Sequence, residues 1–210
     1  MPRQTAAARP AARKASTAAS ASRPVALTIT RPELLVDGSD FAFRKLVHGL
    51  FAFLARHEAV REGHGSVIGL AGIEYTVLIS INHLAHQGDV SVRTVADHLH
   101  LSGAFVTTIT NKLSARGLIT KEVDPLDRRR VCLLVSAHGR DLLDRLAPTQ
   151  RQVNDVQFGC LNAKEFHQLL DIVERLVESS DKAVALQRYL SESAGPAPLP
   201  KPAGSRRRGG

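Results

Sequence analysis

The chain has 210 residues, a length that suits one or two domains, and its 43% hydrophobic content is enough for a core. With no Trp and only 4% aromatic residues, that core must be aliphatic. No apolar run approaches the ~20 residues that span a bilayer, and two cysteines, Cys132 and Cys160, do not indicate a disulfide framework, so a reducing, cytoplasmic setting with no membrane partner is expected.

The net charge of +8 points to a polyanionic partner, but its location matters. Arg3, Arg9, Arg13, Lys14 and Arg23 lie in residues 1–24, which contain no acid; Lys201, Arg206, Arg207 and Arg208 lie at the other end, against Glu192. These ends hold the whole surplus, and residues 25–190 are neutral. Both are rich in Ala, Pro, Ser, Gly and Arg, which cannot bury enough surface to fold. Residues 1–24 and 194–210 are therefore expected to be disordered basic tails around one folded region, 25–190.

The first helical pattern runs from Asp40 to about Val60, with Phe43, Leu46, Val47, Leu50, Phe51, Phe53 and Leu54 too widely spread for one narrow stripe. The glycine-rich Gly63-His64-Gly65-Ser66-Val67-Ile68-Gly69 follows no strand and lacks phosphate-loop spacing, so it reads as a flexible inter-helix loop. Two short helices come next. Val92, Val95, Ala96 and Leu99 share one face of the first. The second starts at Ser102, an N-cap residue, and points Val106, Ile109, Thr110 and Leu113 inward. Ala104, Phe105, Thr107, Thr108, Asn111 and Lys112 face out, forming the short-chained polar surface that a helix needs to read base edges in a major groove. Gly117 supplies a helix stop.

Two strand-like stretches, 118–123 and 131–135, then bracket Asp127-Arg128-Arg129-Arg130. Three adjacent guanidinium groups on a hairpin tip suit phosphate, which they bind bidentately. A helix from Gly139 to about Phe158 should kink or break at Pro148, whose ring meets the carbonyl of Asp144. The last helix, Ala163 to Leu190, carries Phe166, Leu169, Leu170, Val173, Leu176 and Val177 at helical spacing. Such a stripe requires a covering surface.

Taken together, Gly72-Ile73-Glu74-Tyr75-Thr76-Val77-Leu78, residues 91–99, Leu113-Ser114-Ala115-Arg116-Gly117-Leu118-Ile119, Asp124-Pro125-Leu126-Asp127-Arg128-Arg129 and Val135-Ser136-Ala137-His138-Gly139 resemble the MarR (multiple antibiotic resistance regulator) family of winged helix-turn-helix transcription factors. Gly103 departs from the family's frequent proline, and Ser136 from its usual threonine. The resemblance implies a mainly α fold: a winged helix-turn-helix at about 70–139 with a small β-hairpin wing. Helices at about 40–60 and 140–190 would form a dimerisation lobe from both chain ends. A monomer with an internal helical bundle is the alternative.

The expected function is a sequence-specific, DNA-binding transcriptional regulator, a ligand-responsive repressor that binds a pseudo-palindromic operator on double-stranded DNA as a homodimer. A DNA-binding protein that is architectural, acting through its basic tails, is the rival. The expected DNA contacts are Ser102, Ala104, Phe105, Thr107, Thr108, Asn111 and Lys112 on the helix and Arg128, Arg129 and Arg130 on the wing, with Asp127 orienting Arg129. The resemblance also implies an effector pocket, for which Arg44, His48, Phe51 and Tyr75 would receive a small aromatic or carboxylated molecule. His83 with His86, and His98 with His100, lack a familiar zinc spacing, so no metal is expected. Neither a cofactor nor an enzymatic site is expected, since no motif places a nucleophile or a carboxylate pair. Cys132, on a strand with inward alternation, reads as an inert buried thiol.

Overall fold

A computed structural model describes residues 26–123 and 131–194. The chain divides into two units, one ending at His57 and the other beginning at Glu58.

In the first unit a short 3-10 turn, Pro32–Leu34, and an isolated bridge between Val36 and Ser39 lead into α1 (Phe41–Val67). Asp40, immediately before the helix, organises this entry. Its Oδ2 accepts from the Thr28 backbone N–H and hydroxyl, both at 2.7 Å, and from Arg44 Nε at 3.0 Å. Arg44 also donates to the Ala26 carbonyl at 2.6 Å. The Thr28 amide and hydroxyl, helped by the Arg44 guanidinium, hold the Asp40 carboxyl below its ordinary pKa. Past this staple, α1 presents Phe41, Leu46, Phe51 and Leu54 to the exterior.

The second unit contains the end of α1, then α2 (Gly72–Leu84), α3 (Val92–Leu99), α4 (Gly103–Ala115), β1 (Ile119–Val123), β2 (Val131–Val135), α5 (Ala137–Phe158) and α6 (Ala163–Ala194). Its aliphatic core is drawn from Val77, Leu78 and Ile81 of α2, Val95 of α3, Val106 and Leu113 of α4, Leu133 of β2 and Leu146 of α5, all fully buried. β1 and β2 pair antiparallel in a register that sets Ile119 opposite Val135 and Val123 opposite Val131. The Leu133 N–H donates to Val90 O at 2.7 Å, tying the hairpin to the segment between α2 and α3. This mainly helical unit with a two-stranded wing is a winged helix-turn-helix.

Four expectations need correction or extension. The glycine-rich stretch is not a loop: α1 continues to Val67, and only residues 68–71 connect it to α2. His64 and Gly65 are buried there, and a Cβ on Gly65 would stand 2.8 Å from the Leu70 carbonyl oxygen. Glycine serves close packing at this position rather than flexibility. α5 runs unbroken through Pro148, so no break occurs. Cys132 is only half-buried, because Leu133 and Val135 take the inward positions of β2; Cys160 is exposed. Finally, α6 extends to Ala194, four residues beyond Leu190, and none of its residues is buried.

Candidate nucleic-acid interface

The helix-turn-helix is built by local capping. Ser91 accepts from the Thr94 N–H at 3.1 Å and starts α3, and His100 ends it in the left-handed region at φ 52°. Ser102 accepts from the Phe105 N–H at 3.2 Å and starts α4. Gly117 closes that helix at φ +68°, a conformation strained for other residues. Ser136 Oγ links the wing to α5, donating to Gly117 O at 2.6 Å and accepting from the Gly139 N–H at 3.0 Å.

α4 separates its two faces as its periodicity predicts. Val106, Ile109, Thr110 and Leu113 are buried, whereas Ser102, Ala104, Phe105, Thr107, Thr108, Asn111 and Lys112 are exposed. The exposed threonines are already committed as donors, Thr107 to Gly103 O at 2.8 Å and Thr108 to Ala104 O at 3.1 Å. What remains to them for a base edge is a methyl group and hydroxyl lone pairs. The far end of α4 is anchored by Arg116, which donates to Gly69 O at 3.0 Å and lies 3.5 Å from Glu74. Asp127, Arg128, Arg129 and Arg130 lie outside the described residues.

The residues expected to receive an effector have separate partners. Arg44 is held by Asp40 and Ala26, and the His48 and Phe51 rings meet edge to face at 6.0 Å. Tyr75 is buried in the second unit, where its hydroxyl accepts from Gln150 Nε2 at 2.7 Å and its ring stands 5.8 Å from His64. Burial raises the Tyr75 pKa, partly opposed by the Gln150 hydrogen bond.

A polar cluster that periodicity could not reveal surrounds Tyr75. Arg61 pairs with Glu58 and donates to the Thr76 hydroxyl at 3.1 Å, and that hydroxyl donates to Gly72 O at 2.9 Å. Arg61 Nε and His64 Nε2 are both buried with no hydrogen-bond partner among the described residues. Such orphaned groups are costly in a closed interior and are met in native proteins where a ligand or water completes them. The hint in the sequence was two polar residues, Arg61 and His64, one turn apart just before an apolar helix.

Elsewhere, the His83 and His98 rings stand 6.0 Å apart, and no cluster of three or more His, Cys, Asp or Glu residues able to hold a metal occurs among the described residues. No single helix among them is long and apolar enough to cross a membrane.

Residues 68–130 match the model of the MarR family. The transcriptional repressor NicR of Pseudomonas putida is 28% identical over 130 residues, an alignment covering 61% of this chain and 79% of NicR. A solved structure of BpsR from Bordetella bronchiseptica, whose DNA binding is regulated by 6-hydroxynicotinic acid, is 26% identical with a TM-score of 0.50, covering 61% of this chain and 90% of that one. CouR of Rhodococcus jostii, solved bound to p-coumaroyl-CoA, shares the fold at 22% identity with a TM-score of 0.54, covering 62% of this chain and 91% of its own.

Proposed function

We propose that the chain is a winged helix-turn-helix regulator of the MarR type, a ligand-responsive repressor that binds a pseudo-palindromic operator as a homodimer; the match of residues 68–130 to the MarR family model supports that reading. The observation that carries the reading is the exposed face of α4. A helix capped at Ser102 and stopped at Gly117 is rooted in the core by Val106, Ile109 and Leu113, and displays mostly short or polar side chains, with Phe105 the large apolar exception, suited to base edges. Arg128, Arg129 and Arg130 follow on the wing segment of the sequence, where guanidinium groups would hold phosphates and set the register without reading bases.

One reading helix per molecule makes few base contacts, and two-fold symmetry doubles them. A second copy covering the apolar stripes of α1 and α6 would set the two α4 helices about 34–36 Å apart, the spacing of successive major grooves. Repression then follows from occupancy of promoter DNA.

The effector reading moves from Arg44 to the buried cluster. Arg44 already satisfies Asp40, whereas Arg61 Nε and His64 Nε2 are unpartnered beside Tyr75. A small aromatic carboxylate fits this chemistry: its anion meets the guanidinium and imidazole, and its ring meets Tyr75. The regulation of BpsR by 6-hydroxynicotinic acid is consistent with that class. A ligand that prefers a subunit spacing unfit for consecutive grooves would release DNA, with a coupling of ~1–3 kcal/mol typical of such switches.

The test is footprinting on the DNA upstream of the gene, using the full chain and a form lacking residues 1–24 and 195–210, with and without 6-hydroxynicotinic acid. Protection of a palindromic site by both forms is expected. The architectural alternative rests on the tails, which carry the whole charge surplus. Loss of the protected site on their removal would favour it.

A further inference from the structure

The wing strand bears a residue that acts on the reading helix rather than on DNA directly. Lys121, in the middle of β1, lies on the same side of the strand as the buried Ile119 and points towards α4. Its Nζ stands 2.6 Å from Asn111 Oδ1 and 3.2 Å from Thr110 Oγ1. Thr110 Oγ1 donates its own proton to Thr107 O at 3.1 Å, which leaves a lone pair for the lysine. The assignment of the amide follows from chemistry: an ammonium group only donates, so the atom it meets must be the carboxamide oxygen. The Asn111 NH2 group is thereby turned away from the strand.

We infer that Lys121 is a positioning residue that makes Asn111 a donor to DNA, so that this position of the operator is read as an acceptor edge, guanine in preference to adenine. The inference rests on the proposal that α4 enters the major groove. A free asparagine recognises adenine bidentately, accepting from N6 and donating to N7. Here the oxygen is engaged by a cation, and an adenine N6 or cytosine N4 amino group approaching it would meet ammonium protons. Guanine presents two acceptors, O6 and N7, side by side. Either can accept the Asn111 Nδ2–H, which the lysine leaves as the group's only free function. Anchoring the amide also removes rotamer freedom before DNA arrives, which sharpens discrimination.

The experiment is selection from a library of randomised duplexes by the full chain, followed by affinity measurements on the enriched site with each base at each position. Wild-type protein should enrich guanine at one position of each half-site. Lys121→Met should lower the guanine-over-adenine ratio there by roughly tenfold, within the range of one bidentate contact. The other positions should be unaltered. Lys121→Arg should retain most of the preference, and Asn111→Ala should abolish it in either background. Lys121→Gln, neutral and shorter, gives the same reading if Met disturbs the strand. An unchanged base preference in Lys121→Met and Lys121→Gln overturns the inference while leaving the DNA-binding proposal intact. So does a uniform weakening on all sequences with a salt slope reduced by about one, the mark of a phosphate contact. If the wild type enriches no motif, the inference falls together with the reading on which it rests.

Discussion

The stretch from Leu70 to Leu146 and the helix from Ala163 to Ala194 are both rich in aliphatic residues, yet only the first buries them. Leu78, Ile81, Val95, Leu113 and Leu133 have no exposure at all, whereas Leu169, Leu176 and Leu186 remain 40%, 49% and 57% exposed. Both stretches show helical periodicity, so periodicity reports that a face seeks cover and not what covers it. The difference separates a unit with a closed core from a helix whose apolar stripe remains exposed. The exposed apolar side chains of α1, Phe41, Leu46, Phe51 and Leu54, make the same demand.

That contrast can be broken first at α6. If α6 lies in the proposed subunit interface, Leu169→Glu combined with Leu176→Glu places unpaired charges there, at several kcal/mol each. The dimer dissociation constant should rise by roughly a thousandfold or more in sedimentation experiments, with the helical content of the reader retained. A double variant that still sediments as a dimer would remove α6 from the interface. Within the reader, Leu78→Ala or Leu113→Ala should cost about 2–5 kcal/mol in urea unfolding, because each leaves a cavity in a closed core. The same truncation at Leu186 should matter only through self-association.

The junction of α1 and α2 offers a finer contrast. Gly65→Ala forces a methyl group against the Leu70 carbonyl oxygen and should cost about 1–3 kcal/mol. Gly63→Ala, whose added Cβ meets nothing within 4 Å, should be neutral or stabilise by up to ~1 kcal/mol. Equal effects would mean that the close approach at Gly65 is not maintained in solution.

The smallest effect lies in the first unit. Asp40 has its folded pKa drawn below the ordinary 3.8, so its staple contributes stability above that value and loses it as pH falls through the lower folded one. Proteolysis within residues 26–39 should therefore increase only in strong acid. In Asp40→Asn that pH dependence should vanish, with cleavage raised at neutral pH; identical profiles would show that Thr28 and Arg44 are held by something else.

Much of the reader was legible because its signals are local. Ser102 and Ser136 cap the helices expected of them, Gly117 takes the left-handed conformation, and the inward set Val106, Ile109, Thr110 and Leu113 is buried as the 3.6-residue period requires. Gly65 misled because glycine has two uses, flexibility and close approach, which look identical in a sequence. Pro148 does not break α5, which tolerates the lost donor within a continuous helix. The hydrogen bond of Arg61 to Thr76 and the reach of Lys121 to Asn111 join residues 15 and 10 apart along the chain, on different elements. No period connects them.

From its sequence alone the chain determined the likeness of its middle region to one family, the order of its helices and wing, the caps that begin α3, α4 and α5, and the concentration of its surplus charge in the two ends. These are matters of local backbone preference and composition, written within a few residues. Tertiary structure decided which polar groups lack partners among the described residues, which glycine is crowded, and which side chain engages the Asn111 carboxamide oxygen. Those outcomes depend on distances between elements, and a hydrogen bond exists only when packing brings donor and acceptor within about 3 Å.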